Sequence, residues 1–238
     1  MSVSGRGFTL IECLIGLALT FLVVLACLEF SLSAERHYAG LKEKEEAALG
    51  ALAALDKMKV DILRAGQGLA RASALGLVEP IAEDSGGLVV TRAEKALALA
   101  ADAGPGDVSL SLASVTDLRA GREICLTDGE KGEVAVISAV TAGAAVLASP
   151  LAAAYSKDAT AVVLLDRVTL ALDAGQGVLR RKVNLGTAQP LLENVAAADF
   201  SLDRTANLAR VRFGLRSQPD AIHEICLFPK NPALAAGT

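Results

Sequence analysis

The rhythm of apolar and polar positions changes twice along the chain. Residues 13–28 read CLIGLALTFLVVLACL and carry no charge. Counted from Phe8, the apolar run is 21 residues long, enough to cross a bilayer as a helix, which takes about 20. One carboxylate, Glu12, interrupts it near its start. From Glu29 the chain turns charged, through Glu35, Arg36 and the run Lys42-Glu43-Lys44-Glu45-Glu46. Leu49, Leu52, Leu55, Met58 and Ile62 then recur at steps of three and four, which predicts a helical stripe offered to a globular domain. All seven prolines lie at Pro80 or later, and Ala65-Gly66-Gln67-Gly68 is the first stop, just after Arg64. The pattern predicts one helix running from Phe8 to Arg64.

Beyond residue 70 the period shortens. Alternating or β-branched segments at 88–91, 108–112, 123–127, 134–140, 161–166 and 168–172 are punctuated by Gly, Pro, Asp and Ser. Residues 168–173 and 178–183, joined by Ala174-Gly175-Gln176-Gly177, read as a hairpin, and 210–216 and 222–228 as late strands. The fold class expected is α+β, with a long N-terminal helix packed on a mostly antiparallel β domain. Four segments follow: a leader at 1–7, a membrane-spanning helix at 8–28, its amphipathic continuation at 29–66, and a β-rich domain at 67–238.

Composition narrows the class. A chain of 238 residues that is 53% hydrophobic and 21% charged has ample surface to bury, so disorder is excluded. A formal net charge of -4 is not that of an obvious nucleic-acid binder. Aromatics are 3% and Trp is absent, which argues against a carbohydrate platform or an aromatic cofactor box. No metal or other cofactor is expected from two histidines and four cysteines.

The polar leader MSVSGRG carries Arg6 and no acid. A secretory signal would place small residues of an A-x-A kind after the apolar run, but Glu29-Phe30-Ser31 follows Leu28. The apolar segment is therefore expected to be retained. Arg6 and the terminal amine favour the N-terminus inside and the remainder outside the cytoplasm.

Gly7-Phe8-Thr9-Leu10-Ile11-Glu12 and the apolar run after it resemble the class III signal of type IV prepilins and type II secretion pseudopilins. That pattern is a short basic leader ending in Gly, then Phe-Thr-Leu-x-Glu. The resemblance implies a pilin-like fold, cleavage between Gly7 and Phe8 by a prepilin peptidase, and N-methylation of Phe8. It also implies assembly through the N-terminal helix into a type IV pilus or related fibre. Glu12 fits this role physically. A carboxylate inside a span costs about 2.5–3.5 kcal/mol on insertion scales, so Glu12 either lies shallow, its carboxylate snorkelling to the headgroups, or pairs with a positive partner. Cleavage creates one, the Phe8 amine, and in assembling pilins the carboxylate is thought to meet the amine of a neighbouring subunit.

The finer resemblance is to PilW-like minor pilins and J-type minor pseudopilins. It rests on Asp61-Ile62-Leu63-Arg64-Ala65-Gly66, on Val178-Leu179-Arg180-Arg181 with Pro190-Leu191-Leu192-Glu193-Asn194-Val195, and on Ile225-Cys226-Leu227-Phe228. It implies a minor structural subunit, not an enzyme. Its implied partners are the major pilin, other minor pilins, the prepilin peptidase and the inner-membrane assembly platform. The implied location is a single-pass inner-membrane protein with its domain outside the cytoplasm, then a pilus or pseudopilus. The alternative is an extracytoplasmic enzyme or binding domain on an uncleaved anchor. His37 and His223 have no H-E-x-x-H context, and neither G-x-S-x-G nor a P-loop occurs. Asp102, Asp107, Asp128 and Glu130 are spaced unlike a calcium loop.

Two further features stay open on sequence alone. Arg180, Arg181, Lys182, Arg204, Arg210, Arg212 and Arg216 make the C-terminal third locally basic. Without interleaved aromatics, nucleic acid is a partner that this allows but does not favour. Cys13 and Cys27 lie in the apolar helix, about 21 Å apart along its axis, and read as small hydrophobes. Cys125 and Cys226 each follow Glu-Ile and precede Leu, inside expected strands. They form a disulfide if those strands are neighbours, closing a loop of roughly 100 residues worth up to ~4.7 kcal/mol. Otherwise they are two separate buried thiols.

Overall fold

The computed structural model of the chain describes residues 9–231. It divides into two compact units, Met1–Leu49 and Gly50–Thr238. Helix α1 (Leu10–Leu63) supplies the described regular structure of the first unit and enters the second from Gly50. It ends one residue before the expected Arg64. The last turn tightens, with Arg64 N–H donating to Asp61 O and Ala65 N–H to Ile62 O. Gly66 follows at φ 68°, a left-handed conformation that glycine adopts without steric cost. Its N–H donates to Thr91 O at 2.8 Å and so ties the helix end to a strand.

In the second unit the buried face of α1 is Ala51, Ala54, Met58, Asp61 and Ile62. This corrects the expected stripe: Met58 and Ile62 are buried, Leu55 is half-buried, and Leu49 and Leu52 are exposed. The reason is angular. At about 100° per residue, the three successive steps of three from Leu49 to Met58 turn half a circle. The two ends of the supposed stripe therefore lie on opposite sides.

Among its described residues the β domain holds a short helix, α2 (Ala70–Ala74), and twelve strands. These are β1 (Ile81–Asp84), β2 (Gly87–Leu97), β3 (Ser109–Ser111), β4 (Glu123–Thr127), β5 (Gly132–Thr141) and β6 (Ala144–Leu147). They continue with β7 (Ala161–Asp173), β8 (Val178–Val183), β9 (Gln189–Leu192), β10 (Val195–Asp203), β11 (Leu208–Leu215) and β12 (Gln218–Leu227). Every pairing is antiparallel, in a nine-stranded sheet ordered β1-β2-β7-β4-β5-β6-β3 with β8 and β9 branching from β7, and a three-stranded sheet β10-β11-β12. The architecture is α+β.

Part of the large sheet closes on itself. Just past β2, Leu99 bridges Leu112, just past β3, flanked by Ala100 N–H to Ser111 O and Ala113 N–H to Ala98 O, both 2.9 Å. The ring β2-β7-β4-β5-β6-β3 is a small barrel, which removes the open edges that those strands would otherwise present. Alternate residues from successive strands fill it, among them Leu110, Ile124, Leu126, Ile137, Leu147 and Leu164. Each such side chain removed from water contributes about 1.5–3 kcal/mol. In the small sheet, Ala209, Val211, Phe213 and Leu215 of β11 are buried while Arg210 and Arg212 face outward, the alternation expected of that segment. The chain then returns to the helix end, where Asn231 Nδ2 donates to Ala65 O at 3.0 Å.

Candidate functional site

The first turn of α1 is built around Thr9 and Glu12. Thr9 C=O accepts the first helical bond, from Cys13 N–H. The Glu12 carboxylate accepts from Thr9 N–H and from the Thr9 hydroxyl, both at 2.9 Å, and Glu12 N–H reaches Thr9 Oγ1 at 3.4 Å. This reciprocal arrangement is a capping box, which satisfies backbone donors that a helix start leaves orphaned. Its signal, Thr-x-x-Glu ahead of an apolar run, stands in the sequence. Gly7 and Phe8, the expected cleavage and methylation positions, lie outside the described residues.

Behind this cap the helix is bare. Leu10, Ile11, Leu14, Leu17, Phe21, Leu22 and Val23 are all more than half exposed. Within α1 an 18-residue window has mean hydropathy 2.6 and none of it is buried, so the helix is long and apolar enough to cross a membrane. Thr20 Oγ1 returns its hydrogen to Gly16 O at 2.7 Å, which leaves no unpaired hydroxyl on that surface.

The second unit anchors its helical segment through charge. Asp61, on the buried face, takes Arg181 Nε at 2.6 Å and Nη2 at 2.9 Å. Arg92 of β2 stands 3.8 Å from the same carboxylate and binds Asp166 of β7 at 2.7 Å, and Asn184 Nδ2 completes the set on Asp166 Oδ1 at 2.7 Å. The Asp61 hydrogen bonds hold the Arg181 guanidinium above its usual value. Two acids and two guanidinium groups thus neutralise one another where α1 meets the sheet. The opposite side of the helix is different: Leu52, Val60 and Leu63 are exposed there, at steps of eight and three.

The basic residues of the C-terminal third are dispersed by these contacts. Arg181 is spent on Asp61, Arg180 pairs with Asp173 at 3.2 Å, and Arg204 with Glu79. Arg210 and Arg212 share Glu224 at 3.4 Å each. Asp102, Asp107 and Asp128 each accept nearby backbone N–H groups, from Lys157, from Gly104, and from Glu130 and Lys131. The two turn bonds hold the Asp128 carboxyl below its usual value.

The candidate disulfide is corrected. Cys125 is buried in β4 of the large sheet and Cys226 is exposed on β12 of the small one, and all four cysteines are free. The shared Glu-Ile-Cys-Leu pattern reflects two strands with similar alternation in different sheets, not neighbours. Burial pushes the Cys125 thiol up to about 11.

No protein-family model matches the chain, and no curated protein matches it. Among solved structures, it is similar to the Gp54 tailspike of Acinetobacter baumannii bacteriophage AP22, described in complex with A. baumannii capsular saccharide. There the identity is 13%, the TM-score 0.29, and the match covers 32% of this chain and 15% of that one. It is also similar to the tailspike protein gp49 from Pseudomonas phage LKA1, at 24% identity and TM-score 0.26, over 29% of this chain and 14% of that one. The chain spans about a seventh of each tailspike, and likenesses this slight establish neither fold nor function.

Proposed function

We propose that the protein is a minor pilin or pseudopilin, a structural subunit of a type IV pilus or related fibre. In this reading a prepilin peptidase cleaves between Gly7 and Phe8 and the new Phe8 amine is methylated. The apolar helix holds the precursor in the inner membrane with the β domain outside the cytoplasm, and the same helix then enters the fibre core. Partners are the major pilin, other minor pilins and the assembly platform.

One observation carries the reading: the segment 10–28 is an apolar helix, exposed along its whole length, whose single acid, Glu12, is held at its head by Thr9. Such a surface needs lipid or other helices around it. A lone carboxylate there needs a cation, and the capping box keeps it hydrogen-bonded until one is offered. Exchange from Thr9 to the amine of a neighbouring subunit is the chemistry that a fibre supplies.

N-terminal sequencing and intact mass of the membrane-bound protein test it. Methyl-Phe at position 8 is expected in wild type, and precursor mass in Gly7→Glu, because a bulky charged side chain cannot replace Gly at the scissile bond. An unprocessed wild-type chain, or normal cleavage of Gly7→Glu, refutes the assignment in favour of an anchored extracytoplasmic enzyme or binding domain.

A further inference from the structure

Strand β7 changes neighbours along its length. It pairs with β4 over 161–164 and with β8 over 168–173, so 165–167 face a gap where β4 and β8 diverge. Side chains replace the missing ladder. Arg122 Nη2 donates to Leu165 O at 2.7 Å, Arg167 N–H donates to Asn184 Oδ1 at 2.8 Å, and Asn184 N–H donates to Arg167 O at 2.8 Å. The gap is therefore a built feature with its backbone groups satisfied.

Above it lies a cleft of two lobes, of about 140 and 510 Å³, that share Arg122, Asn184 and Leu185. Gly121 lines the smaller lobe close against Leu185, since a Cβ there would stand 2.6 Å from Leu185 Cδ1. The smaller lobe adds Arg167, Thr169 and Lys182, and the larger adds Arg119. The acids of the cleft are already engaged: Glu94 with Arg122, Glu123 with Arg167 at 2.8 Å, and Asp117 with Lys95 at 3.2 Å. Arg119 and Lys182 enter no ion pair among the described residues. Each lobe thus keeps one unspent cation, on a chain whose formal net charge is -4.

We infer that this cleft binds a small anion with at least two acidic groups, carboxylate or phosphate, one in each lobe. Lys182 and Arg119 neutralise the two ends, and the fixed Arg122 guanidinium lies between them as a preorganised floor. Leu185 covers the body of the ligand. The site belongs to the β domain alone and does not depend on fibre assembly.

The test uses the full chain in detergent micelles with citrate and inorganic tripolyphosphate as probes, against sodium chloride at matched ionic strength. Either probe is expected to raise the unfolding temperature of the β domain and to slow acylation of Lys182, with the exposed Lys57 and Lys59 of α1 as internal references. Arg119→Ser and Lys182→Ser, both at exposed positions, are each expected to weaken binding about tenfold while the unliganded domain unfolds as in wild type. The proposal is overturned if matched sodium chloride reproduces the effect, if Lys57 and Lys59 are protected equally, or if the variants bind as wild type does.

Discussion

Asp61 and Arg181, 120 residues apart in sequence, meet in a two-point salt bridge between the last turns of α1 and strand β8. Both side chains are largely buried, and Arg92 and Asp166 extend the network. Removing one partner strands the other charge in a dry place, which costs about 3–5 kcal/mol, whereas replacing both costs much less. Asp61→Leu and Arg181→Leu are each expected to lower the urea midpoint of the β domain strongly. The double variant should be clearly more stable than the sum of the single losses. Additive losses in that cycle would show that the two residues act independently.

At the other end of α1, cap and charge can be separated. Gln can replace Glu in a capping box, so Glu12→Gln should leave the first turn intact, while Thr9→Val removes the cap at a cost of about 0.5–2 kcal/mol. Amide exchange at residues 9–13 in micelles should therefore accelerate in Thr9→Val and stay near wild type in Glu12→Gln. Fibre incorporation should fall in Glu12→Gln, because the charge is lost, and in Glu12→Val, whose membrane insertion is equal or better. Wild-type assembly by both Glu12 variants would reduce the carboxylate to a helix cap.

Much of this molecule was legible where local pattern and tertiary role agree. The helix end at Gly66, strands β4 and β8, and the alternation of β11 stand in the structure nearly as read. Strands β1, β6, β9 and β10 were not anticipated. Ala144–Leu147 and Val195–Asp203 are rich in alanine, a helix former placed in strands by their partners, and β9 contains Pro190. The expected break between 166 and 168 is absent, since β7 runs unbroken through Asp166 and Arg167. These two charges interrupt the apolar pattern where the strand trades β4 for β8, and ion pairs with Arg92 and Glu123 accommodate them. Barrel closure and the Asp61–Arg181 pair depend on contacts distant in sequence, which periodicity does not encode.

The exposed leucines of α1 give a surface test. Leu52 and Leu63 touch solvent, each more than about 100° around the helix from the buried Met58, so Leu52→Ser and Leu63→Ser should change β-domain stability by no more than about 0.5 kcal/mol. If this side packs on neighbouring helices in a fibre, the same variants should lower fibre incorporation. Met58→Ala, on the buried side, should instead destabilise the domain by about 2–5 kcal/mol. The reverse order of effects would place the packed face of the helix wrongly.

The cysteines separate by environment rather than by pairing. Cys226 is exposed on β12 beside Arg210 and Glu224, whereas Cys125 is 1% exposed within β4. Thiol labelling of unreduced, denatured protein should find four free cysteines. In the native protein near neutral pH, Cys226 should react readily and Cys125 should wait for unfolding, because the thiolate is the nucleophile and burial disfavours it. The same burial sets a pH dependence. The Cys125 thiol titrates at about 11 in the folded chain against 9.0 for an ordinary thiol. Above the ordinary value the unfolded chain loses a proton that the folded chain keeps, so unfolding is favoured as pH rises. The contribution is fully present below pH 9.0 and is lost as the pH passes 11, about 3 kcal/mol in all. Cys125→Ala removes this one titration, so its stability should fall less steeply than that of wild type over the window. Parallel pH profiles, or two unreactive cysteines in the denatured chain, would contradict the burial and the free thiols respectively.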